Sequence, residues 1–574
     1  MTRLVRVVAA VLGLLGLHLT GLAGVVDAGG PLYRTVDGQP VPWADHTITG
    51  GPLQSTTISV DATGRRTVLY RVDPGPLGSL SNADATRFVD RIFGLYNGIS
   101  PSEIEFVNAG PIRDPATGAP LDVDGTNFGR VLGTFQNPII FDHDASIVGP
   151  GGVLGFAGAL TFTDDGPAVA EAFAVLNGTR MFLGATISVP AFQGVFTHEF
   201  GHFAGPLDHS QINGFLVTLL PSDFDLLAPF VETMHPFFHF TPPGSQLGFE
   251  NDLYFFATLD RDTINAFSNL YPTKAYKQQF GAVEGRVIFR SGGDLVAVDG
   301  INVIARRIDQ GQYLPPVGTV AFPDGVTLDA NGIPAPPPAR AATDALATVS
   351  SAVTGIEFGT GRYRIRGLPP GQYLIHHQTI RSVFVGISRI GRSQSQILLP
   401  FFEGYYNGTT TSNSPGTFTP VTIRAGEVTT GIDLVINGLD PSEPAQVNVK
   451  KETHLTFETA LALPSPPVVV KGSVADTDPF ALFFPPFAEP LHDIYRFDAT
   501  RTGVYFISLE PHPTSSNADL DVLLFRSNGA LAAFSIEPTA RELIGAFLTP
   551  GTYFVSVSAF AGAANYHLRV LPPP

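Results

Sequence analysis

Residues 198–209 read H-E-F-G-H-F-A-G-P-L-D-H, and the spacing inside this stretch constrains everything around it. Placed on a helix, His198 and His202 stand at i and i+4, so both imidazoles leave the same face and can hold one metal ion. Glu199 lies next to them, within reach of a water at that ion, and can serve as its base. Gly205 is the expected helix stop, since a residue without Cβ can enter the left-handed conformation that turns the chain back. That turn returns a further donor, His209 or Asp208, to the same ion. Two imidazoles and one more side chain leave the fourth position of a zinc ion open to water, the arrangement of a catalytic rather than a structural zinc.

The plainer reading of these residues is a helix whose histidines are packed or solvated. The glycine and the third donor, at close to the expected distance, weigh against it. So does T-M-H-P-F-F, Thr233 to Phe238: Met234 is one of three methionines, and the first of those is the initiator. Methionine is often ordinary core filler, but this one sits directly before His235-Pro236. With both motifs the chain resembles the metzincin metallopeptidases, most closely the matrixin-like branch, whose zinc helix is followed by a tight methionine turn beneath the metal. The resemblance implies a zinc-dependent endopeptidase with Glu199 as general base, His198, His202 and His209 as metal ligands, and Met234 as the structural turn. One departure bears on the third ligand. Pro206, Leu207 and Asp208 put three residues between Gly205 and His209, where the matrixin pattern has two. Strict spacing lands on Asp208, whereas L-D-H-S resembles the family string with Pro206 inserted ahead of it, which favours His209. A thermolysin-like site would take its third ligand from an E-x-x-x-D helix, and none follows at a suitable distance.

At 574 residues the chain is too long for one core. Its 61 glycines and 49 prolines, with only 15% charged residues, point to turn-rich β architecture rather than helical bundles. A hydrophobic fraction of 44% is ample for packed cores. The net charge of −17 offers no basic stripe to neutralise phosphates, which argues against nucleic acid as a partner. Residues 1–28 read as a secretory signal: Arg3 and Arg6, then an apolar run from Val7 to about Leu22, then small residues around Val26-Asp27-Ala28. The expectation is a secreted, extracellular protein with no membrane anchor after cleavage. The chain has no cysteine, so its stability must come from core burial, with bound metal as an optional addition, rather than from disulfides, and the thiolate latency of many matrixins is not open to it.

The sequence divides into a multidomain chain: an α+β metzincin-like catalytic domain, a twisted sheet plus zinc helix, followed by two all-β sandwiches. Residues 40–272 carry the first. Thr67–Val72 reads as a strand, Ser81–Asn97 as a helix with Ser81 as cap and apolar residues at three- and four-residue steps, and Ile104–Val107, Ile139–Phe141 and Val153–Phe162 as strands. The last of these resembles the sheet edge on which the family lays an extended peptide substrate, as an added strand; an internal strand is the plain alternative. Asp122, Asp124, Asp142 and Asp144 could hold a structural calcium ion, but without a complete calcium loop they read more simply as solvated carboxylates. Leu259–Leu270, with Asp260 and Asp262 in its first turn, closes the unit as a helix.

From about residue 280 the texture becomes short alternating strands. Residues 280–438, with a proline-rich insertion at Leu314–Arg340, resemble the carboxypeptidase-regulatory-like sandwich, and Pro370-Gly371 suits a type II turn with its positive φ at the glycine. Residues 439–474 read as a linker with some extended structure, and 475–574 resemble the bacterial pre-peptidase C-terminal domain. Neither sandwich displays a catalytic constellation, so both read as accessory modules of unknown ligand, and a chain ending near Pro272 is expected to fold by itself. The competing function is a secreted adhesive or binding protein whose peptidase domain is vestigial, since a displaced third ligand would weaken the metal site.

Overall fold

The computed structural model describes residues 40–572 except 100–101, 150–152, 164–167, 181–188, 206, 211–231, 236–258, 292–293, 309–348, 355–359, 379, 381–402, 413–416, 440–444, 450–453, 480–481, 485–488, 513–517 and 537–541. The signal segment, the proline-rich insertion and the end of the T-M-H-P-F-F motif therefore lie outside the described residues. The described chain is mostly β, arranged in several sheets.

The N-terminal unit is built on strands β1 (Ile48–Gly50), β2 (Ser55–Val60), β3 (Arg66–Val72), β4 (Ile104–Pro111), β5 (Pro138–Asp142), β6 (Gly155–Phe162) and β7 (Val169–Asn177). Their order is β1-β2-β3-β5-β7-β6, with β4 also beside β3. The centre is parallel, β3 with β5 and β5 with β7, while β6 runs antiparallel to β7 at the end of the described sheet. All nine residues of β7 are buried, as expected of a strand covered on both faces.

Helix α1, Asn82–Asn97, forms where the periodicity requires it. The Ser81 hydroxyl accepts from the Asp84 amide at its start, and Ala85, Phe88, Val89, Ile92, Phe93 and Tyr96 make its buried stripe. Against that stripe lies helix α2, Val189–Ala204. Phe93 stacks on Phe200 with ring centroids 4.4 Å apart, and Phe88 meets Phe196 edge-on. The Tyr96 hydroxyl donates to the Thr197 carbonyl at 2.7 Å. The chain's one tryptophan, Trp43, is fully buried at the other end of α2, where its indole N–H donates to the Ala204 carbonyl at 2.9 Å. The helix that carries the histidines is thus clamped along its length and at its C-terminus.

Helix α3, Arg261–Leu270, begins at Asp260, whose carboxylate accepts from the Thr263 amide. Its C-terminal end is tied back to the sheet layer: the Glu103 amide donates to the Tyr271 carbonyl, and the Trp43 amide to the Tyr271 hydroxyl.

Residues 281–439 form two sheets around one core. Gly281–Ser291 is central to one and pairs antiparallel with Arg362–Leu368; Asn302–Arg307 is central to the other and pairs with Gly371–Gln378. Gly371 begins a strand and lies outside the left-handed region; the left-handed glycine nearby is Gly367, φ +74°, at the bulge between Arg366 and Leu368 inside the preceding strand.

The C-terminal module is a further sandwich, of two five-stranded sheets, over its own core. The segment read as a linker belongs to it: Ala445–Asn448 pairs with Val468–Ala475, and Leu461–Ala462 with Asp493–Ala499. The two edge strands, of four and two residues, leave too little alternation to be read, while Val468–Ala475 is a full internal strand of the module. The two modules also share apolar contacts. Phe506, Leu543 and Leu571 of the second sit in the core of the first, where Phe506 meets Phe289 at 4.1 Å between ring centroids.

One buried carboxyl in the N-terminal unit links stability to pH. Asp73, 1% exposed, accepts backbone hydrogen bonds from Gly75, Val123 and Phe141. Burial, with the Asp122 carboxylate beside it, pushes its pKa up to about 8 from an ordinary 3.8. Because the folded value is raised, its contribution is fully present below 3.8 and lost as pH rises through about 8. Asp73→Asn removes this ionisation, so in urea unfolding the wild type should lose stability relative to the variant across that window. An identical pH slope in both proteins would exclude the assignment.

Candidate metal centre

His198 and His202 leave one face of α2, as their spacing requires, and their outer ring nitrogens are held by backbone carbonyls. His198 Nδ1 donates to the Thr233 carbonyl at 2.8 Å, and His202 Nδ1 to the Leu207 carbonyl at 2.6 Å. A carbonyl oxygen only accepts, so both Nδ1 atoms carry the proton and both Nε2 atoms present lone pairs. Those two nitrogens face each other at 3.2 Å. Burial depresses both imidazoles, His198 to about 3 with the help of neighbouring His202, so neither protonates near neutrality.

Two facing lone pairs repel unless a cation lies between them. Donors bonded at about 2.0–2.1 Å to a tetrahedral ion stand roughly 3.3–3.4 Å apart, close to the spacing observed. His209 completes the group: its ring centroid is 5.3 Å from that of His198 and 4.8 Å from that of His202. The three histidines offer donor atoms within 4.8 Å of one another, the one such group of His, Asp and Glu among the described residues. Asp208 instead folds back, its carboxylate accepting from the His209 amide at 2.8 Å. The three-residue spacing after Gly205 thus brings the histidine inward, not the aspartate.

Gly205 does not act as expected. Its φ lies outside the left-handed region, and what it supplies is room: a Cβ there would stand 2.8 Å from Leu207 and 3.0 Å from Phe267. Leu207 can then pack with Met234 and Ala266 in a small buried cluster.

Met234 is fully buried within a tight turn closed by the His235 amide donating to the Glu232 carbonyl at 2.9 Å. Its sulfur lies against the backbone of α2, where a Cβ on Gly201 would collide with it. The glycine inside H-E-F-G-H is therefore the seat of the turn. Sequence reading missed the residues that hold this turn. The Thr233 amide donates to Asp260 at 2.7 Å while the Asp260 amide donates to the Thr233 hydroxyl at 3.2 Å. The Ser210 amide donates to the Met234 carbonyl at 2.8 Å, securing the arm that carries His209. Backbone carbonyls leave no trace in residue type; only Asp260 was signalled, as an acid at a helix start.

Glu199 is 8% exposed, and burial pushes its carboxyl up to about 8. Its side chain lies against the start of β6, where a Cβ on Gly155 would stand 3.0 Å from Glu199 Cγ. The base, the histidines and the terminal strand thus meet at one place. The four aspartates considered for calcium are turn acceptors or their neighbours. Asp124 accepts from the Thr126 and Asn127 amides, Asp142 from Ile147 and Val148, and Asp144 from Ser146; Asp122 lies beside Asp73. Among the described residues they form no three-donor group.

His209→Ala should lower metal affinity by more than the ~10-fold typical of losing a supporting contact, whereas Asp208→Ala should cost little. Chelator-competition titration of the two variants measures this. The reverse order would make Asp208 the third donor.

No family model matches the sequence, and no curated protein matches it. Among solved structures, the pre-peptidase C-terminal domain of collagenase from Bacillus anthracis aligns with 23% of this chain and 99% of its own, at 16% identity and a TM-score of 0.15. The minor pilin of Streptococcus agalactiae aligns over 29% of this chain and 49% of its own, at 16% identity and a TM-score of 0.14. The major pilin SpaD of Corynebacterium diphtheriae aligns over 51% and 58%, at 9% identity and a TM-score of 0.13; the chain spans about half the length of either pilin. At such scores none of these proteins decides the activity of this chain, and a functional reading rests on the geometry of its histidines.

Proposed function

We propose that this protein is a secreted, zinc-dependent endopeptidase of the metzincin type, matrixin-like, acting on protein or peptide substrates. The observation that carries the reading is the pair of unprotonated Nε2 atoms facing each other at 3.2 Å, with a third imidazole beside them. Neutral imidazole donors with carbonyl-held outer nitrogens suit zinc. Zinc bound there would polarise a scissile carbonyl and acidify a water.

Glu199 does the proton work. Desolvation raises its pKa and a neighbouring dication would lower it, so its carboxylate is balanced to take a proton from water and pass it to the leaving amine. Strand β6 supplies the substrate platform. It ends the described sheet, and its residues are all half-buried. A peptide could add to such an edge through backbone hydrogen bonds, and the small residues of G-F-A-G-A-L would discriminate little among side chains.

The alternative is a secreted binding or adhesive protein with a vestigial peptidase unit. What favours it is the chain's balance: the two sandwiches, residues 281–439 and 445–571, carry most of its strands and no three-donor group among the described residues. Zinc content of the purified protein, with casein cleavage measured with and without a chelator, separates the readings. Glu199→Ala should keep fold and zinc while losing about 10²–10⁴-fold or more in hydrolysis, the usual value of a general base. A protein that holds no zinc, or that holds it and cleaves nothing, leaves the binding role; retained cleavage in the variant removes Glu199 from the chemistry.

A further inference from the structure

We infer that the first sandwich is a working part of the histidine centre, positioning it through α3, and is not a detachable accessory. This rests on the three histidines being a metal site.

Helix α3 is buried almost all round. Asp262, Thr263, Asn265, Ala266, Phe267 and Ser268 are each 2% exposed or less, and these positions cover well over half of the helical circumference. On one side Ala266 packs on Met234 and Leu207, and Phe267 on Tyr96. On another side it meets the sandwich, along strands Val349–Val353 and Arg362–Leu368. One close approach is at Gly367. Its φ of +74° already favours glycine, and a Cβ there would collide with the Tyr276 hydroxyl and stand 3.0 Å from Asn265 Oδ1 of α3. Tyr276 in turn donates to Asn269, on the same helix, at 2.8 Å.

From α3 the support reaches each arm of the centre. Asp260, its cap, holds Thr233, whose carbonyl sets the His198 ring. Asp262, in its first turn, accepts from the Ser210 hydroxyl at 3.4 Å, and Ser210 follows His209 directly. Leu207, packed against Ala266, supplies the carbonyl that sets His202. A helix displaced at Gly367 would therefore disturb the orientation of all three imidazoles. Gly367, Asn265 and Asp260 are positioning residues in this account; none reaches a metal or substrate. The expectation that a chain ending near Pro272 is self-sufficient does not fit this packing, because such a chain would leave the Asn265 side of α3 bare.

The test uses the full chain. Gly367→Ala adds the colliding Cβ at the α3 contact. Gly431→Ala is its control, because Gly431 has nearly the same φ, +76°, in the same sandwich but nothing within 4 Å of its would-be Cβ. Both variants carry similar backbone strain, and only the first pushes on the helix. Zinc affinity by chelator competition, well below the unfolding temperature of each variant, should fall on the order of 10-fold in Gly367→Ala, with kcat falling and KM little changed, and should stay at the wild-type value in Gly431→Ala. Equal affinity in all three proteins, or equal loss in both variants, overturns the inference. Should Gly367→Ala fail to fold, Asn265→Ala deletes the helix side of the contact without adding bulk. It should weaken zinc several-fold, and wild-type affinity there overturns the inference. A wild-type protein that binds no zinc sinks the metal reading itself, a different outcome from a zinc protein indifferent to Gly367.

Discussion

Two imidazole nitrogens with their lone pairs turned toward each other are an unfavourable arrangement unless a cation lies between them, and this fold is organised to enforce it. The outer nitrogens of His198 and His202 are committed to carbonyls, which leaves the inner ones no proton to share. Burial keeps both rings neutral. The repulsion is the counterpart of affinity: the same preorganisation that costs stability without a cation favours binding with one, because no ring has to reorient.

Each carbonyl that does this belongs to a segment held from elsewhere. Thr233 depends on the cap of α3, and Leu207 on a pocket that exists because residue 205 has no Cβ. The helix bearing the pair is clamped between Phe93, Tyr96 and Trp43, residues distant in sequence that all close on α2. An aromatic layer of this kind lets little move, so small displacements at its borders are passed on rather than absorbed.

How much of this was legible in the sequence varied with the length scale of the signal. Helix α1 was readable to its cap because Ser81 and six apolar positions all agree with one period. The histidine pair was readable because four residues is one turn. His209 was readable only through the string L-D-H-S, since counting from Gly205 pointed to Asp208, and the outcome was decided by packing around Leu207. Gly205 and Gly371 both read as left-handed turn residues because glycine tolerates that conformation; the structure uses the first for closeness, and the positive φ in the second region belongs to Gly367, at a strand bulge. Extended structure is legible in the segment 439–474 but its sheet membership is not, because Ala445–Asn448 and Leu461–Ala462 take their shape from the sheets they join and the pairing of Val468–Ala475 with Ala563–Leu571 spans almost a hundred residues. Contacts between modules leave no periodic mark at all, so the burial of Asn265 under a neighbouring sheet could not have been foreseen.

The rings of Phe289 and Phe506 meet inside the core of the first sandwich, although they belong to different modules, and Leu543 and Leu571 join them there. A core completed by the next domain along the chain restricts how such a protein can evolve. Modules that fold as separate beads can be shuffled, duplicated or lost by recombination at their junctions. Here a recombination event between residues 439 and 445 would separate the first sandwich from part of its interior and leave Phe506, Leu543 and Leu571 without their cover, so the pair is expected to be inherited together.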